Sequence, residues 1–131
     1  AYGDKTFTAI MWGKIVAAHL VSSLRYDFLF QDVDVVWYKD PMTFFHDPTR
    51  REAEFDVLLQ DDGARTRRFA PSSGNSGFFY ARHNDRTWEF FTSRVMSANQ
   101  VSRALSDQAV VAALLSEHAT MYNLRLQTLA E

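Results

Sequence analysis

The chain has 131 residues, which is long enough for one domain with a hydrophobic core of its own. Its 14 basic and 16 acidic side chains leave a net charge of −2, which argues against nucleic acid or an anionic membrane as a general partner. The chain contains no cysteine, and this excludes disulfide bonds and thiolate metal ligands within it.

The start of the chain carries no targeting signal that we recognise. It begins at Ala1 without an initiator methionine, and no apolar run approaches the length of a membrane span or of a signal peptide. We therefore expect residues 1–131 to be the core of a single domain that belongs to a longer protein.

The first predicted element is a helix from Thr6 to Leu24, in which apolar side chains recur at helical spacing along one face. Lys14 lies near the middle of this face, where an ammonium group is out of place. Two interpretations remain open. Its aliphatic stem packs while the charged head reaches water, or its charge points inward at an anionic ligand.

The second predicted element is a buried strand from Tyr26 to Gln31, because a continuous apolar run is typical of a strand in a parallel sheet. Asp32 and Asp34 follow at its carboxyl end, and apolar residues resume directly after them. A core rejects carboxylates unless their desolvation is offset, and ligand sites of parallel sheets lie at the carboxyl ends of strands. Although a short acidic pair is more often a solvated turn, this context predicts a crevice that holds a divalent cation.

The rest of the chain alternates between predicted helices and strands, which favours an α/β fold. Proline after Asp40 and after Asp47 bounds a short helical turn, and Asn84 is predicted to cap a helix. The further predicted elements are a turn at 42–46, a strand at 55–60, a mobile surface loop at 64–74, a strand at 78–81, a helix at 85–96, a helix that follows Ser106, and an extended segment at 121–129.

Four blocks of sequence occur in a distinctive order: Phe28-Leu29-Phe30-Gln31-Asp32-Val33-Asp34-Val35-Val36-Trp37, Asp40-Pro41, Asn75-Ser76-Gly77-Phe78-Phe79-Tyr80 and Asp107-Gln108. In this order and spacing they resemble the nucleotide-diphospho-sugar transferase family, and within it glycosyltransferase family 77, which contains plant and algal cell-wall enzymes. The resemblance implies a GT-A fold, with a mostly parallel sheet flanked by helices and incomplete at both ends. It also implies transfer of a sugar from a UDP-sugar to a glycan or glycoprotein, with retention of anomeric configuration, in the Golgi or another secretory lumen.

The resemblance assigns expected roles to individual residues. Asp32 and Asp34 would hold Mn²⁺ or Mg²⁺, whose preference for hard oxygen ligands suits carboxylates and a diphosphate. The expected donor-binding residues are Lys14, Asp32, Asn75, Ser76 and Gly77, and the expected catalytic residues beside the anomeric carbon are Asp107 and Gln108. An acid such as Asp107 in the first turn of a helix also has an ordinary explanation, because it complements the helix dipole.

The sequence departs from the family pattern in two places. His118 comes too soon after Gln108 to be the metal-binding histidine that related enzymes carry, and we expect all four histidines to be surface or packing residues. Related enzymes bind the nucleotide base with a strand and loop near their N-terminus, and we expect these to lie outside residues 1–131. An inactive structural or binding subunit of a larger assembly therefore remains an alternative. A less favoured alternative is a haloacid-dehalogenase-like phosphatase, in which Asp61 and Asp62 would form the second acidic site.

Overall fold

The computed structural model describes residues 5–63, 73–97, 99 and 107–129. The helices in this part of the chain are α1 (Lys5–Ser23), α2 (Met42–Phe45), α3 (Asp85–Met96) and α4 (Asp107–Met121), and a single 3₁₀ turn spans Arg51–Glu54. The strands are β1 (Phe28–Gln31), β2 (Val57–Asp61), β3 (Gly74–Ala81) and β4 (Leu126–Leu129). The predicted loop at 64–74 lies outside the described residues except for its last two positions.

The strands form one mixed sheet in the order β1-β3-β2-β4. Strand β3 pairs antiparallel with both β1 and β2, whereas β2 and β4 pair in parallel. Strands β1, β2 and β4 therefore run in one direction, and their carboxyl ends share an edge of the sheet with the start of β3. The predicted α/β class is confirmed, and the layers are compatible with a GT-A-type domain. Among the described strands, β2 and β4 are the one parallel pair of neighbours. The prediction that the strand before Asp32 is a buried strand of a parallel sheet is therefore wrong, because β1 pairs antiparallel with β3 and its residues are half-buried.

Helices α1, α3 and α4 cover one face of the sheet. The main core lies here, where Ala18 of α1, Phe91 of α3 and Leu115 of α4 pack with Phe79 of β3. Aromatic rings contact one another within this core, and the Phe79 ring centroid lies 5.7 Å from that of Phe91. Along α1 the buried positions include Ala18, as the helical spacing predicts, but Ile10 is 57% exposed.

The opposite face of the sheet is covered by the segment that contains α2 and the 3₁₀ turn. Phe45 stacks on Tyr80 with ring centroids 4.4 Å apart, and Leu58 lies beneath them. Arg82 fixes this segment, because its guanidinium donates to the carbonyl oxygens of Phe45 at 2.8 Å and Phe55 at 3.1 Å. The predicted helical turn after Pro41 is thus confirmed and has a packing role.

Local capping determines where two of the helices begin or end. Asn84 and Thr87 form a reciprocal capping box at the start of α3, as predicted for Asn84. Helix α4 ends at Met121, and Asn123 then takes a positive φ of 55°, a conformation that asparagine tolerates better than most residues. The segment predicted to be extended from residue 121 is therefore a strand only from Leu126 onward. Within the described residues, no helix is both long enough and apolar enough to cross a bilayer.

Asp56, directly before β2, is the most heavily bonded buried carboxylate among the described residues. It is 1% exposed and accepts hydrogen bonds from Arg86 at 2.7 Å, from Asn84 at 2.9 Å and from the backbone N–H of Arg125 at 2.9 Å. Burial by itself raises the pKa of Asp56, but the hydrogen bonds from Arg86 and Arg125 outweigh it and hold the pKa below its ordinary value. Asp56 thereby ties α3 and the entry to β4 to the sheet.

Replacing Asp56 by asparagine is expected to lower the free energy of unfolding by about 3 kcal/mol. The substitution removes the negative charge that Arg86 and Arg125 pair with, and both arginines are partly exposed. The folded-state pKa lies below the unfolded one, so the stabilisation is complete above about pH 4 and is lost as the pH falls through the folded-state pKa. Urea denaturation between pH 7 and pH 2 would measure both effects. Asp62→Asn, which changes an exposed carboxylate, is the control. Equal stability of the two variants at pH 7, or a gap from the wild type that widens in acid, would contradict this role.

Candidate functional site

The candidate site lies where β1 ends beside the start of β3. The antiparallel register pairs Gln31 with Phe78, and one residue further the N–H of Asp32 donates to the carbonyl oxygen of Gly77 at 2.8 Å. Because β3 runs against β1, the Asn75-Ser76-Gly77 block lies next to the acidic pair. The antiparallel pairing thus joins two of the predicted polar blocks at one edge of the sheet.

Lys14 reaches this edge from the middle of α1. Its Nζ lies 2.9 Å from Oδ1 and 3.2 Å from Oδ2 of Asp32, and 5.6 Å from the centroid of the Phe30 ring. The Lys14 side chain is 17% exposed and that of Asp32 is 44% exposed. The ammonium group is thus paired within the protein rather than free in water, and whether it also faces an anionic ligand stays a prediction. Its counter-charge among the described residues is Asp32.

Gly77 leaves the space that the Asp32 carboxylate occupies. A Cβ atom at residue 77 would lie 2.5 Å from Oδ2 of Asp32 and 3.1 Å from Oδ1 of Asn75. That Asn75 oxygen accepts a hydrogen bond from the N–H of Gly77 at 2.7 Å. The glycine therefore leaves room for the end of the Asp32 side chain, and Asn75 lies two residues earlier in the same strand. Whether Asn75 and Ser76 contact a donor sugar stays a prediction.

Gln108 connects the first turn of α4 to the start of β3. Its Oε1 accepts from the N–H of Ser76 at 2.8 Å, and its Nε2 donates to the carbonyl oxygen of Gly74. Both ends of the amide thus hold the backbone that carries Ser76 and Gly77. Gln108 is therefore brought to the predicted site, while its catalytic role stays a prediction. The side chain of Asp107 lies outside the described residues.

Asp34 is exposed in the turn after β1, two residues beyond Asp32. Among the side chains that the structure describes, no three from histidine, aspartate and glutamate converge into a ready-made metal site. Two carboxylates still fit a Mg²⁺-like ion, because such ions are commonly held by one or two carboxylates and complete their shell with substrate phosphates and water. Asp32 and Asp34 are thus compatible with a metal site that a diphosphate completes.

The histidines lie where packing and exposure explain them. His118 is 2% exposed on α4, and its ring lies 5.5 Å from that of Phe90 and 4.8 Å from that of Tyr122. Burial lowers the pKa of His118, which keeps the imidazole neutral in the core. The predicted packing role of His118 is therefore confirmed. The others are half-buried or exposed: His19, His46 and His83.

Two contacts near the site were not predicted from the sequence. The indole N–H of Trp37 donates to the side-chain oxygen of Gln31, and the Trp37 ring packs against Phe78 at 5.7 Å. These contacts fold the segment after Asp34 back over the sheet. The sequence offered one indication of the Gln31–Trp37 contact. Gln31 is a polar residue at the end of an apolar strand, and a polar side chain in such a place needs a hydrogen-bond partner.

Comparison with known proteins relates this sequence to nucleotide-diphospho-sugar transferases. A family model described as nucleotide-diphospho-sugar transferase matches residues 1–130. A UDP-galactose:fucoside alpha-3-galactosyltransferase from Dictyostelium discoideum is 29% identical over 114 residues, which cover 82% of this chain. The match spans only 16% of the length of that relative. No solved structure gives a significant match.

Replacing Gly77 by alanine is expected to destabilise the fold by about 1–3 kcal/mol, because the new Cβ displaces the Asp32 carboxylate. The matched control is Gly13→Ala on α1, where a Cβ meets nothing within 4 Å. That control should stabilise the protein by about 0.5–1 kcal/mol through helix propensity. Chemical denaturation of both variants would measure the difference.

A double-mutant cycle assigns the cause of the Gly77→Ala penalty. In an Asp32→Ala background the carboxylate that the new Cβ meets is gone, so the penalty should shrink by about 1 kcal/mol. Strictly additive effects of the two substitutions would show that Asp32 is not what excludes a side chain at residue 77.

Proposed function

Because the chain belongs to the nucleotide-diphospho-sugar transferase family, we propose that the protein transfers a sugar from a UDP-sugar to a glycan or glycoprotein with the help of a divalent metal ion. The name of the relative from Dictyostelium gives UDP-galactose as its donor and a fucoside as its acceptor. UDP-galactose is therefore the first donor to test here. Retention of anomeric configuration and a location in the Golgi or another secretory lumen are part of the proposal and rest on the family resemblance.

The observation that carries the proposal is the pairing of Lys14 with Asp32 at the carboxyl edge of β1. A nucleotide diphosphate requires positive charge beside it, and a bound metal ion requires anionic oxygen ligands. Lys14 supplies a fixed ammonium group, whereas Asp32 supplies a carboxylate that is 44% exposed. Both kinds of group are thus present at one place, at the strand edge where ligands of α/β sheets bind.

Asp32 and Asp34 are the residues that would hold Mn²⁺ or Mg²⁺. When bound, the ion would act as a Lewis acid that stabilises the negative charge developing on the leaving UDP. Asp34 is exposed, so its carboxylate is available to a ligand from solvent. Asp32 is already oriented by Lys14 and by the space at Gly77, which reduces the cost of ordering its side chain on binding.

The β3 start and α4 would position the donor sugar. Gln108 holds the backbone at Ser76 and Gly74, so the stretch that includes Asn75 and Gly77 is ordered before any ligand arrives. We assign Asn75, Ser76 and Gly77 to contacts with the transferred sugar. We place Asp107 and Gln108 on the side of the anomeric carbon, where an acid or an amide could stabilise the charge that develops there.

One observation favours a second candidate, a subunit that keeps the fold without turnover. Both carboxylate oxygens of Asp32 lie within 3.2 Å of the Lys14 ammonium group, and both polar atoms of the Gln108 amide bond to backbone. In such a subunit these contacts are structural and no metal binds. Family membership favours glycosyl transfer over the phosphatase alternative.

Replacing Asp34 by alanine is expected to lower kcat/KM for UDP-galactose turnover at least about 100-fold, which corresponds to about 2.7 kcal/mol of lost transition-state stabilisation. Removal of the metal with EDTA should abolish turnover of the wild type, and added Mn²⁺ should restore it. The measurement is UDP release, with metal-dependent UDP binding by calorimetry as the second readout. Asp62→Ala, an exposed acid at the end of β2, is the control.

The two candidates give opposite results in this experiment. A transferase loses metal-dependent UDP binding in Asp34→Ala but keeps it in Asp62→Ala. A structural subunit shows no UDP binding that depends on metal in any variant. Full activity in the presence of EDTA would exclude the metal-dependent mechanism.

A further inference from the structure

An aromatic cavity lies on the face of the sheet opposite α1, α3 and α4. Its volume is about 440 Å³, which falls within the range of about 300–1,000 Å³ that is usual for small-molecule sites. Four aromatic side chains line it: Trp37, Phe44, Phe45 and Phe78. Phe45 is almost fully buried against Tyr80 and forms part of the core, whereas Trp37 is 40% exposed. The cavity therefore has a fixed apolar floor and an accessible aromatic wall.

The polar groups of the cavity are planar and their charges cancel. The guanidinium of Arg50 lies 4.1 Å from the centroid of the Phe44 ring, and its Nε lies 3.5 Å from a carboxylate oxygen of Glu52. Gln127, from β4, adds an amide whose Oε1 is buried without a hydrogen-bond partner among the described residues. One cation and one anion leave no net charge to attract a phosphate. The lining therefore suits a neutral ligand that has hydroxyl groups.

The walls of the cavity are held in place by contacts outside it. Arg82 binds the carbonyl oxygen of Phe45, and the Asp40 carboxylate accepts from the N–H of Met42 at 2.9 Å. The Asp47 carboxylate accepts from the backbone N–H of Thr49 at 2.9 Å, which orders the turn before Arg50. Such a preformed site loses less conformational entropy when a ligand binds.

The cavity and the candidate donor site share an edge of the sheet but lie on its opposite faces, because Gly77 faces Asp32 on the helical side whereas Phe78 faces the cavity. Trp37 follows Asp34 by three residues, and Phe78 follows Gly77 directly. The Trp37 and Phe78 rings pack against each other at 5.7 Å in the cavity wall. A molecule in the cavity would therefore contact residues that are close along the chain to those assigned to the donor.

We propose that this cavity binds a neutral sugar ring of the acceptor glycan. The apolar C–H face of a pyranose packs against aromatic rings, and its hydroxyl groups match the planar donors and acceptors of Arg50, Glu52 and Gln127. The proposal rests on the proposed transfer of a sugar, and it adds the place and chemistry of the acceptor. The aromatic groups beside Asp34 and Gly77 determine which sugars are accepted.

Binding can be measured without any donor. The intact protein is titrated with the methyl glycosides of galactose, glucose, mannose and fucose, and with uridine for comparison, by calorimetry and ligand-detected NMR. At least one glycoside should bind. Two variants should each weaken that binding at least about tenfold. Phe44→Ala removes an aromatic ring from the cavity wall, and Arg50→Ala removes a hydrogen-bond donor. Tyr38→Ala changes a neighbouring ring that is 95% exposed, and it should leave binding within about twofold.

The outcomes separate this proposal from the proposed function. Thermal unfolding checks that each variant is folded, and Arg50→Ala keeps the test valid if loss of Phe44 unfolds the segment. Absence of glycoside binding, equal affinity for uridine, or unchanged binding in the folded Arg50→Ala protein would overturn the acceptor site. A parallel titration with UDP and Mn²⁺ tests the donor site. UDP binding without glycoside binding refutes only the cavity proposal, whereas glycoside binding without UDP binding refutes only the donor proposal.

Discussion

The antiparallel position of β3 between β1 and β2 is the constraint on which the candidate site depends. Had β3 run parallel to its neighbours, its polar start would lie at the opposite edge from Asp32. Instead the hydrogen bond from Asp32 to Gly77 continues the β1–β3 ladder by one residue. At residue 77 the glycine leaves the space that the Asp32 carboxylate fills, so a larger side chain would have to displace that carboxylate. Strand direction thus determines which polar residues meet.

The charges of Lys14 and Asp32 offset each other at this edge of the sheet. An unpaired carboxylate beside an apolar strand would carry a desolvation cost, and the same holds for an ammonium group on the packed face of α1. The Lys14–Asp32 pair offsets both costs, and its partial exposure leaves it open to solvent. A diphosphate together with a divalent ion would divide this pair between them, the ammonium facing phosphate and the carboxylate facing metal. Under the proposed function, the pair would therefore meet a ligand that carries both charges.

The two faces of the sheet use aromatic side chains differently. On the helical face the rings of Phe79, Phe90 and Phe91 are buried among aliphatic residues and contribute mainly apolar area. On the other face Phe44, Phe78 and Trp37 are partly exposed around a cavity, where a short segment is what covers them among the described residues. The many phenylalanine side chains therefore form a dense core on one face of the sheet and part of the accessible cavity wall on the other.

What the sequence by itself determined is the set of features that depend on neighbouring residues: the apolar strand before Asp32, the turn after Pro41, the cap at Asn84 and the order of the motif blocks. Only the tertiary structure decided the pairings across the chain. Lys14 with Asp32, Ser76 with Gln108, and Asp56 with Arg125 are 18, 32 and 69 residues apart. Periodicity and propensity act over a few residues, whereas these contacts depend on strand direction and on which helix face meets the sheet. The cavity could not be predicted from the sequence either, because its walls come from separate segments that only folding brings together.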